Sequence, residues 1–193
     1  MCIKTGFLVT NNLFFFNGKK YYGVDTDPWE MDFKECSFYA PNVREEYYLE
    51  SDMLSNDFVF LLNEKHAKLY YEQYRKIVND ARLLYCICTL EENIHILNSV
   101  HTIGEYTFLG YDYAYGGGDY YSAILNDVMI RPQLFQNRFA LNKYGLISNV
   151  ETMSLFIHER TEAEHLTDDV MLFEKGDFVI YKLYDATPKV SNV

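Results

Sequence analysis

Apolar positions recur with a helical period in several parts of the chain. Over residues 64–84 they are three or four apart, which predicts an amphipathic helix whose inner face carries Ala67, Tyr70, Tyr71, Tyr74, Ile77, Val78 and Ala81. Residues 133–144 are predicted to form a helix that ends at Gly145. Ser148-x-x-Glu151 has the spacing of a capping box, so another helix is predicted to follow Ser148, with Val150, Met153 and Ile157 on its apolar face. The same spacing at Thr89 and Glu92 predicts a short helix over 91–99.

Other stretches alternate between apolar and polar residues or are apolar throughout, which is typical of strands. Residues 83–89, 105–115 and 178–184 are of this kind. Asn17-Gly18 separates two short aromatic runs, and Asn-Gly is the preferred two-residue hairpin turn because both residues accept a positive φ. Residues 170–173 and 178–184 flank a turn-forming stretch and predict a second hairpin near the C-terminus.

These elements together predict an α+β fold, with a mixed or antiparallel sheet, N- and C-terminal hairpins and several packed helices. A length of 193 residues favours a single globular domain over residues 1–193. No apolar run reaches the roughly 18 residues that span a bilayer, and no signal-peptide core is visible, so we expect a cytoplasmic protein without a membrane partner. The cysteines form no C-x-x-C pair and are expected to be buried free thiols.

Negative charge is concentrated in two segments of the chain. The formal net charge is −11. Residues 83–130 contain six acidic residues and no Lys or Arg, and residues 21–57 contain ten acidic residues against Lys34 and Arg44. Such a chain repels nucleic acids and anionic membranes and attracts basic molecules. We therefore predict a basic protein partner and no nucleic-acid partner.

The segment GYDYAYGGGDYYSAI, residues 110–124, combines this charge with tyrosines, which are frequent at interfaces because they join a large rigid ring to a polar tip. If 106–115 is a strand, Tyr111, Tyr113 and Tyr115 share one face, and Tyr106, Phe108 and Asp112 share the other. A second acidic run surrounds the sole tryptophan. The predicted partner-binding residues are Tyr111, Asp112, Tyr113, Tyr115, Asp119, Tyr120, Asp27, Trp29 and Glu30. The alternative is that these tyrosines line the core and that the run around Trp29 is a solvated loop.

The other candidate sites have weaker sequence patterns. Gly116–Gly118 precedes a predicted helix and could cradle an anion, but the Lys of a phosphate-binding motif is missing. His158, Glu162 and His165 share one helical face without the H-E-x-x-H spacing of a zinc site. We therefore predict no catalytic residue, no metal and no cofactor.

Small acidic, tyrosine-rich α+β proteins resemble the immunity proteins of bacterial toxin–immunity systems. The resemblance is carried by GYDYAYGGGDYYSAI at 110–124 and by LNKYGL at 141–146 with the helix that follows. It implies a tight complex with a cognate toxin domain and no catalytic turnover.

Three functions are open on this basis. The first is an inhibitor, an immunity protein that neutralises a basic toxin domain through an acidic, tyrosine-rich surface. The second is a small cytoplasmic enzyme with an acidic cleft around Asp112 and Gly116–Gly118, where carboxylates act as general acid and base. The third is a homo-oligomeric structural module whose aromatic residues are buried in a symmetric contact. The oligomeric state is not determined by the sequence.

Overall fold

Strands and helices are both present in the computed structural model, which describes residues 3–10, 14–16, 19–21, 63–76, 81–101, 105–115, 124, 127, 139–164 and 178–189. The strands are β1 (Lys4–Thr10), β2 (Phe14–Phe16), β3 (Lys19–Tyr21), β4 (Arg82–Leu90), β5 (Thr107–Tyr115) and β6 (Phe178–Asp185). Helices within the described residues include α1 (Glu64–Tyr74), α2 (Val150–Glu164) and a 3-10 helix (Glu91–Asn98). The predicted α+β fold is confirmed.

Four strands form an antiparallel sheet in the order β1-β4-β6-β5. The central strand β6 is buried from Phe178 to Tyr184, because β4 and β5 flank it and both of its faces are covered. This double coverage explains why its sequence is almost continuously apolar rather than alternating.

β2 and β3 form a separate antiparallel pair, with Phe16 opposite Lys19. This pairing confirms the predicted N-terminal hairpin, although its turn residues, 17 and 18, lie outside the described residues. The second arm of the predicted C-terminal hairpin is β6, and its first arm, 170–173, also lies outside them.

The helices α1 and α2 and the 3-10 helix pack on one face of the four-stranded sheet. Side chains alternate along a strand, so Leu83, Tyr85 and Ile87 of β4 point to this face. α1 packs there through Ala67, Tyr70 and Tyr71, which cluster with Phe7 and Leu83. The other two helices cluster with Ile87, Tyr113 and Ile180 through Val150, Met153, Phe156 and Ile157 of α2 and Ile94 and Leu97 of the 3-10 helix. Within the described ranges, no helix has the length and apolar character needed to cross a membrane.

The opposite face of the sheet is buried as well. Its apolar cluster consists of Leu8, Leu84, Cys86, Cys88, Leu109, Ala114, Leu146, Val179, Tyr181 and Leu183. The thiols of Cys86 and Cys88 are buried, as predicted, while Cys2 and Cys36 lie outside the described residues. Burial, and then the neighbouring Cys88, raise the pKa of the Cys86 thiol well above its ordinary value. Since the thiolate is the reactive form, this thiol is inert and serves as packing.

β5 contains an irregularity that changes which side chains share a face. Its register with β6 shifts between Phe108 and Gly110, so Leu109 is an extra residue in this strand. Phe108 therefore lies on the same face as Tyr111, with the two ring centroids 5.4 Å apart. The prediction that Phe108 shares a face with Asp112 is wrong, because a bulge of one residue reverses the alternation.

Asn142 organises a loop beside this irregularity. Its Oδ1 accepts hydrogen bonds from the backbone N–H groups of Tyr144 (2.8 Å) and Leu146 (3.2 Å), and its Nδ2 donates to the carbonyl oxygen of Leu109 (2.7 Å). Residues 139–144 are consequently not helical, contrary to the prediction of a helix over 133–144, of which 133–138 lie outside the described residues. An asparagine side chain that bonds nearby backbone groups competes with helix formation, which accounts for the difference.

Candidate functional site

Three of the predicted partner-binding residues lie in the middle of β5 and are buried. The exposed fraction is 4% for Tyr111 and 0% for both Asp112 and Tyr113. Tyr111 and Tyr113 belong to the cluster under α2, and Asp112 points to the opposite face of the sheet. These three side chains therefore do not form an exposed contact surface, because both faces of β5 are covered. Partner binding itself stays a prediction.

Hydrogen bonds hold two buried carboxylates beside β5. Oδ1 of Asp112 accepts from the backbone N–H groups of Tyr113 (2.8 Å) and Ile124 (3.4 Å). The Tyr113 hydroxyl donates to Oδ2 of Asp127, which is also buried. Such donors offset the cost of removing a carboxylate from water. Asp112 thus connects β5 to Ile124.

The remaining predicted contact residues are not tested by the structure. Tyr115 is the last residue of β5 and pairs with Phe178. The others, together with Gly116–Gly118, lie outside the described residues: Asp27, Trp29, Glu30, Asp119 and Tyr120. The structure therefore brings Tyr111, Asp112 and Tyr113 together on one strand, and the contact role of the other residues stays a prediction.

Lys182 is a buried cation that the charge analysis did not consider. It lies on β6 with an exposed fraction of 6%, and its Nζ donates to the carbonyl oxygens of Leu97 and Val100, both at 2.8 Å. These carbonyls lie at the C-terminal end of the 3-10 helix, where backbone acceptors lack partners within the helix and a cation is favoured. Burial lowers the pKa of Lys182. The lone charge in the apolar run FVIYKLY was the available sequence signal for such a role.

The 3-10 helix and the start of α2 carry the exposed negative charge of this part of the chain. Glu92 is exposed and Glu91 half-buried at the N-terminal end of the 3-10 helix. At its other end, Nδ2 of Asn98 donates to Oε1 of Glu151 over 2.9 Å. The backbone N–H of Glu151 and then Asn98 lower the pKa of the Glu151 carboxyl, so it is ionised at neutral pH. We call Glu91, Glu92, Asn98 and Glu151 the acidic surface.

Sequence reasoning predicted the acidic character of this region but not the acidic surface itself. Glu91 and Glu92 were two of the six acids in the cation-free stretch. Glu151 was considered only as a capping residue, because its contact with Asn98 joins positions 53 residues apart. A local pattern carries no signal for such a contact.

Exposed apolar side chains border the acidic surface. Leu90, directly before Glu91, is 43% exposed, and Leu155, one turn after Glu151, is 46% exposed. Among the α2 side chains that the structure describes, 150–159, the exposed ones form one stripe: Glu151, Ser154, Leu155 and His158. Interfaces combine apolar contact with a polar rim, and both components are present here.

An open groove of about 390 Å³ lies along α1 and is lined by none of the residues of the acidic surface. It is lined by Glu64, Lys65, Lys68, Leu69 and Glu72. Its charges are balanced, and Nζ of Lys68 lies 2.7 Å from Oε1 of Glu64 in an ion pair. The groove therefore lacks the negative character that was predicted for the partner-binding site.

Comparisons with known proteins add no relative. Family models, curated proteins and solved structures were compared with the chain, and none matches. The resemblance to immunity proteins stays a prediction. In the part of the chain that the structure describes, His, Cys, Asp and Glu side chains form no group of three or more that could hold a metal ion.

Proposed function

We propose that this chain is a binding protein, of the immunity type, that neutralises a basic protein partner through the acidic surface. The observation that carries the proposal is the placement of exposed carboxylates at both ends of one 3-10 helix, Glu92 at its start and Glu151 against its end. The segment that contributes this helix has no Lys or Arg between residues 83 and 130.

Lys182 is a cation close to this surface, but its charged group is bound inside the fold. Its ammonium group lies beneath the 3-10 helix and is bonded to two carbonyl oxygens, so it is not presented to a partner. The exposed carboxylates favour a basic partner over a phosphate or a nucleic acid. For an inhibitor this arrangement also speeds association, since opposite charges steer the encounter.

The exposed apolar side chains beside the acidic surface add hydrophobic contact area to the charge. Leu90 and Leu155 are each more than two-fifths exposed, and their burial against a partner would stabilise the complex by removing apolar area from water. Charged groups then determine the orientation of the partner and the rate of association.

Affinity capture with the whole chain as bait, followed by mass spectrometry, tests the proposal. We expect a basic protein from the native host, and its affinity is then measured at about 50 mM and about 500 mM sodium chloride. Glu92→Lys and Glu151→Lys should each weaken binding about 3- to 10-fold at the lower salt concentration. Glu72→Lys on α1 is the matched control, because it makes the same charge change on another surface.

Two results would contradict the proposal. One is an affinity that is the same for all three variants and the original chain at both salt concentrations. The other is a homodimer that sediments as such without any partner and that Glu151→Lys dissociates, which would favour the oligomeric module instead.

A further inference from the structure

A row of aromatic rings crosses all four strands of the sheet on its helix-covered face. Phe7 of β1 lies opposite Tyr85 of β4, which lies opposite Tyr184 of β6, which lies opposite Phe108 of β5. The ring centroids are 5.1, 6.4 and 5.5 Å apart along this sequence. We call these four rings the aromatic row.

Phe108, at one end of the aromatic row, is the most exposed of its four rings. Phe7 is 5% and Tyr184 7% exposed, whereas Phe108, on the edge strand β5, is 39% exposed. An exposed phenyl ring at the end of a packed row is held rigidly, because its inner edge contacts the rings of Tyr184 and Tyr111. Fixing such a ring against a partner costs little conformational entropy.

The bulge in β5 is what places Phe108 at this position. Without the extra residue Leu109, the alternation of the strand would turn Phe108 to the face that carries Asp112. With it, Phe108 stands beside Tyr111. The backbone of Tyr111 exchanges two hydrogen bonds with that of Ile147, over 2.7 and 3.1 Å, and α2, which carries Glu151, begins three residues later. Tyr111 therefore links the exposed end of the aromatic row to the start of α2, where the acidic surface lies.

The groups around Phe108 suit the binding of a cation that belongs to another molecule. An aromatic face attracts cations, and Glu105, three residues earlier in the chain, is also exposed. Lys182 lies at the inner part of the row, with Nζ 5.9 Å from the centroid of Tyr184, and its ammonium is already bonded to backbone carbonyls. Lys182 therefore does not occupy the solvent-facing side of the Phe108 ring.

We infer that Phe108 is the docking point for an arginine side chain of the basic partner, stacked on the phenyl ring with Glu151 as its acidic neighbour. This inference rests on the proposed function and adds to it the type of partner residue, an arginine, that the site recognises. Arginine is favoured over lysine because a planar guanidinium stacks on an aromatic ring and pairs with a carboxylate at the same time.

The first experiment uses a short peptide probe with the whole chain. The peptide Gly-Arg-Gly-Arg-Gly is titrated while the aromatic ring signals are followed by NMR, and the same peptide with citrulline in place of arginine is the control. Citrulline keeps the shape and loses the charge. We expect the Phe108 ring signals to shift with the arginine peptide and to remain unchanged with citrulline; equal responses to both peptides would overturn the inference.

The second experiment changes the ring. Phe108→Leu keeps an apolar side chain and removes the aromatic face, so it should weaken binding of the arginine peptide about 2- to 5-fold. Phe108→Tyr keeps the aromatic face and should restore binding. Equal affinity of the leucine variant and the original chain contradicts the docking role, and so does loss of binding in both variants, which indicates a structural role for Phe108.

The captured partner distinguishes failure of this inference from failure of the proposed function. If Glu151→Lys weakens partner binding but Phe108→Leu does not, the acidic surface binds and the arginine site is wrong. If neither substitution has an effect, the proposed function fails with it.

Discussion

Buried polar side chains of this protein form hydrogen bonds with backbone groups that have no partner within the strands and helices. Lys182 donates to two carbonyls at the end of the 3-10 helix, Asp112 accepts from two N–H groups, and Asn142 does both in its loop. A buried polar group that is hydrogen-bonded costs far less than an unsatisfied one. Each of these residues therefore stabilises the place where an element ends or a strand is irregular.

Gly110 marks the closest approach between β5 and the Asn142 loop. Its φ of 146° is rarely adopted by L side chains, and an added Cβ would lie 2.7 Å from Cβ of Leu146 and 2.9 Å from the carbonyl oxygen of Ile147. We expect Gly110→Ala to lower the free energy of unfolding by about 2–4 kcal/mol, from backbone strain plus overpacking. Urea denaturation measures this loss.

Gly145→Ala is the matched control for this prediction. Gly145 also has a positive φ, 71°, which lies in the left-handed region that costs an L residue about 1–2 kcal/mol. Its substitution should therefore be the milder of the two. A Gly110→Ala variant that is as stable as the original chain would show that the loop moves aside without cost.

At the scale of elements, local patterns predicted where helices start better than where they end. The apolar period of α1 was predicted to run to residue 84, but the helix ends at Tyr74 and β4 begins at Arg82. The pairing of Thr10 with Arg82 joins residues far apart in the chain, so no local period reveals it. Ala81 is nevertheless buried in the same cluster as Ala67, because strand and helix bury their apolar residues on one side of the sheet.

The start of α2 differs by one residue from its predicted cap. Oδ1 of Asn149, not the hydroxyl of Ser148, accepts the backbone N–H of Thr152, over 2.8 Å. Asn149→Ala should therefore lower the free energy of unfolding by about 1 kcal/mol, since it removes the cap. Ser148→Ala, at the exposed position before it, should change stability by less than about 0.5 kcal/mol. The reverse order of the two losses in thermal or urea unfolding would restore the predicted capping box.

For the whole molecule, the sequence was sufficient to predict the α+β class, the residues that form β6 and a negatively charged segment without Lys or Arg. It was not sufficient for the strand order, because the β4–β6 and β5–β6 pairings connect distant segments. It also did not distinguish acids that face solvent from those that bind backbone groups. Asp112 and Glu92 belong to the same cation-free stretch, yet the Asp112 carboxyl group is buried and that of Glu92 is exposed.

Stability at alkaline pH is a property of the whole fold that follows from its buried tyrosines. Burial, then the neighbouring Tyr184 and Glu151, raise the pKa of Tyr111 to about 12. An unfolded tyrosine has a pKa near ~10. The folded chain therefore holds this proton more tightly, so the contribution of Tyr111 to stability is complete below about pH 10 and is lost as the pH rises through about 12.

Tyr111→Phe isolates this contribution because it keeps the ring and removes the ionisable hydroxyl. Between about pH 10 and about pH 12 the original chain should lose up to about 2 kcal/mol more unfolding free energy than the variant, at roughly 1.4 kcal/mol for each unit by which the pKa is raised. Urea denaturation across this range measures the difference, and absorbance near the tyrosinate band counts the tyrosines that ionise late. Parallel stability curves for the two proteins would mean that the Tyr111 hydroxyl reaches water in the folded state, and the covered face of β5 would then have to open for it.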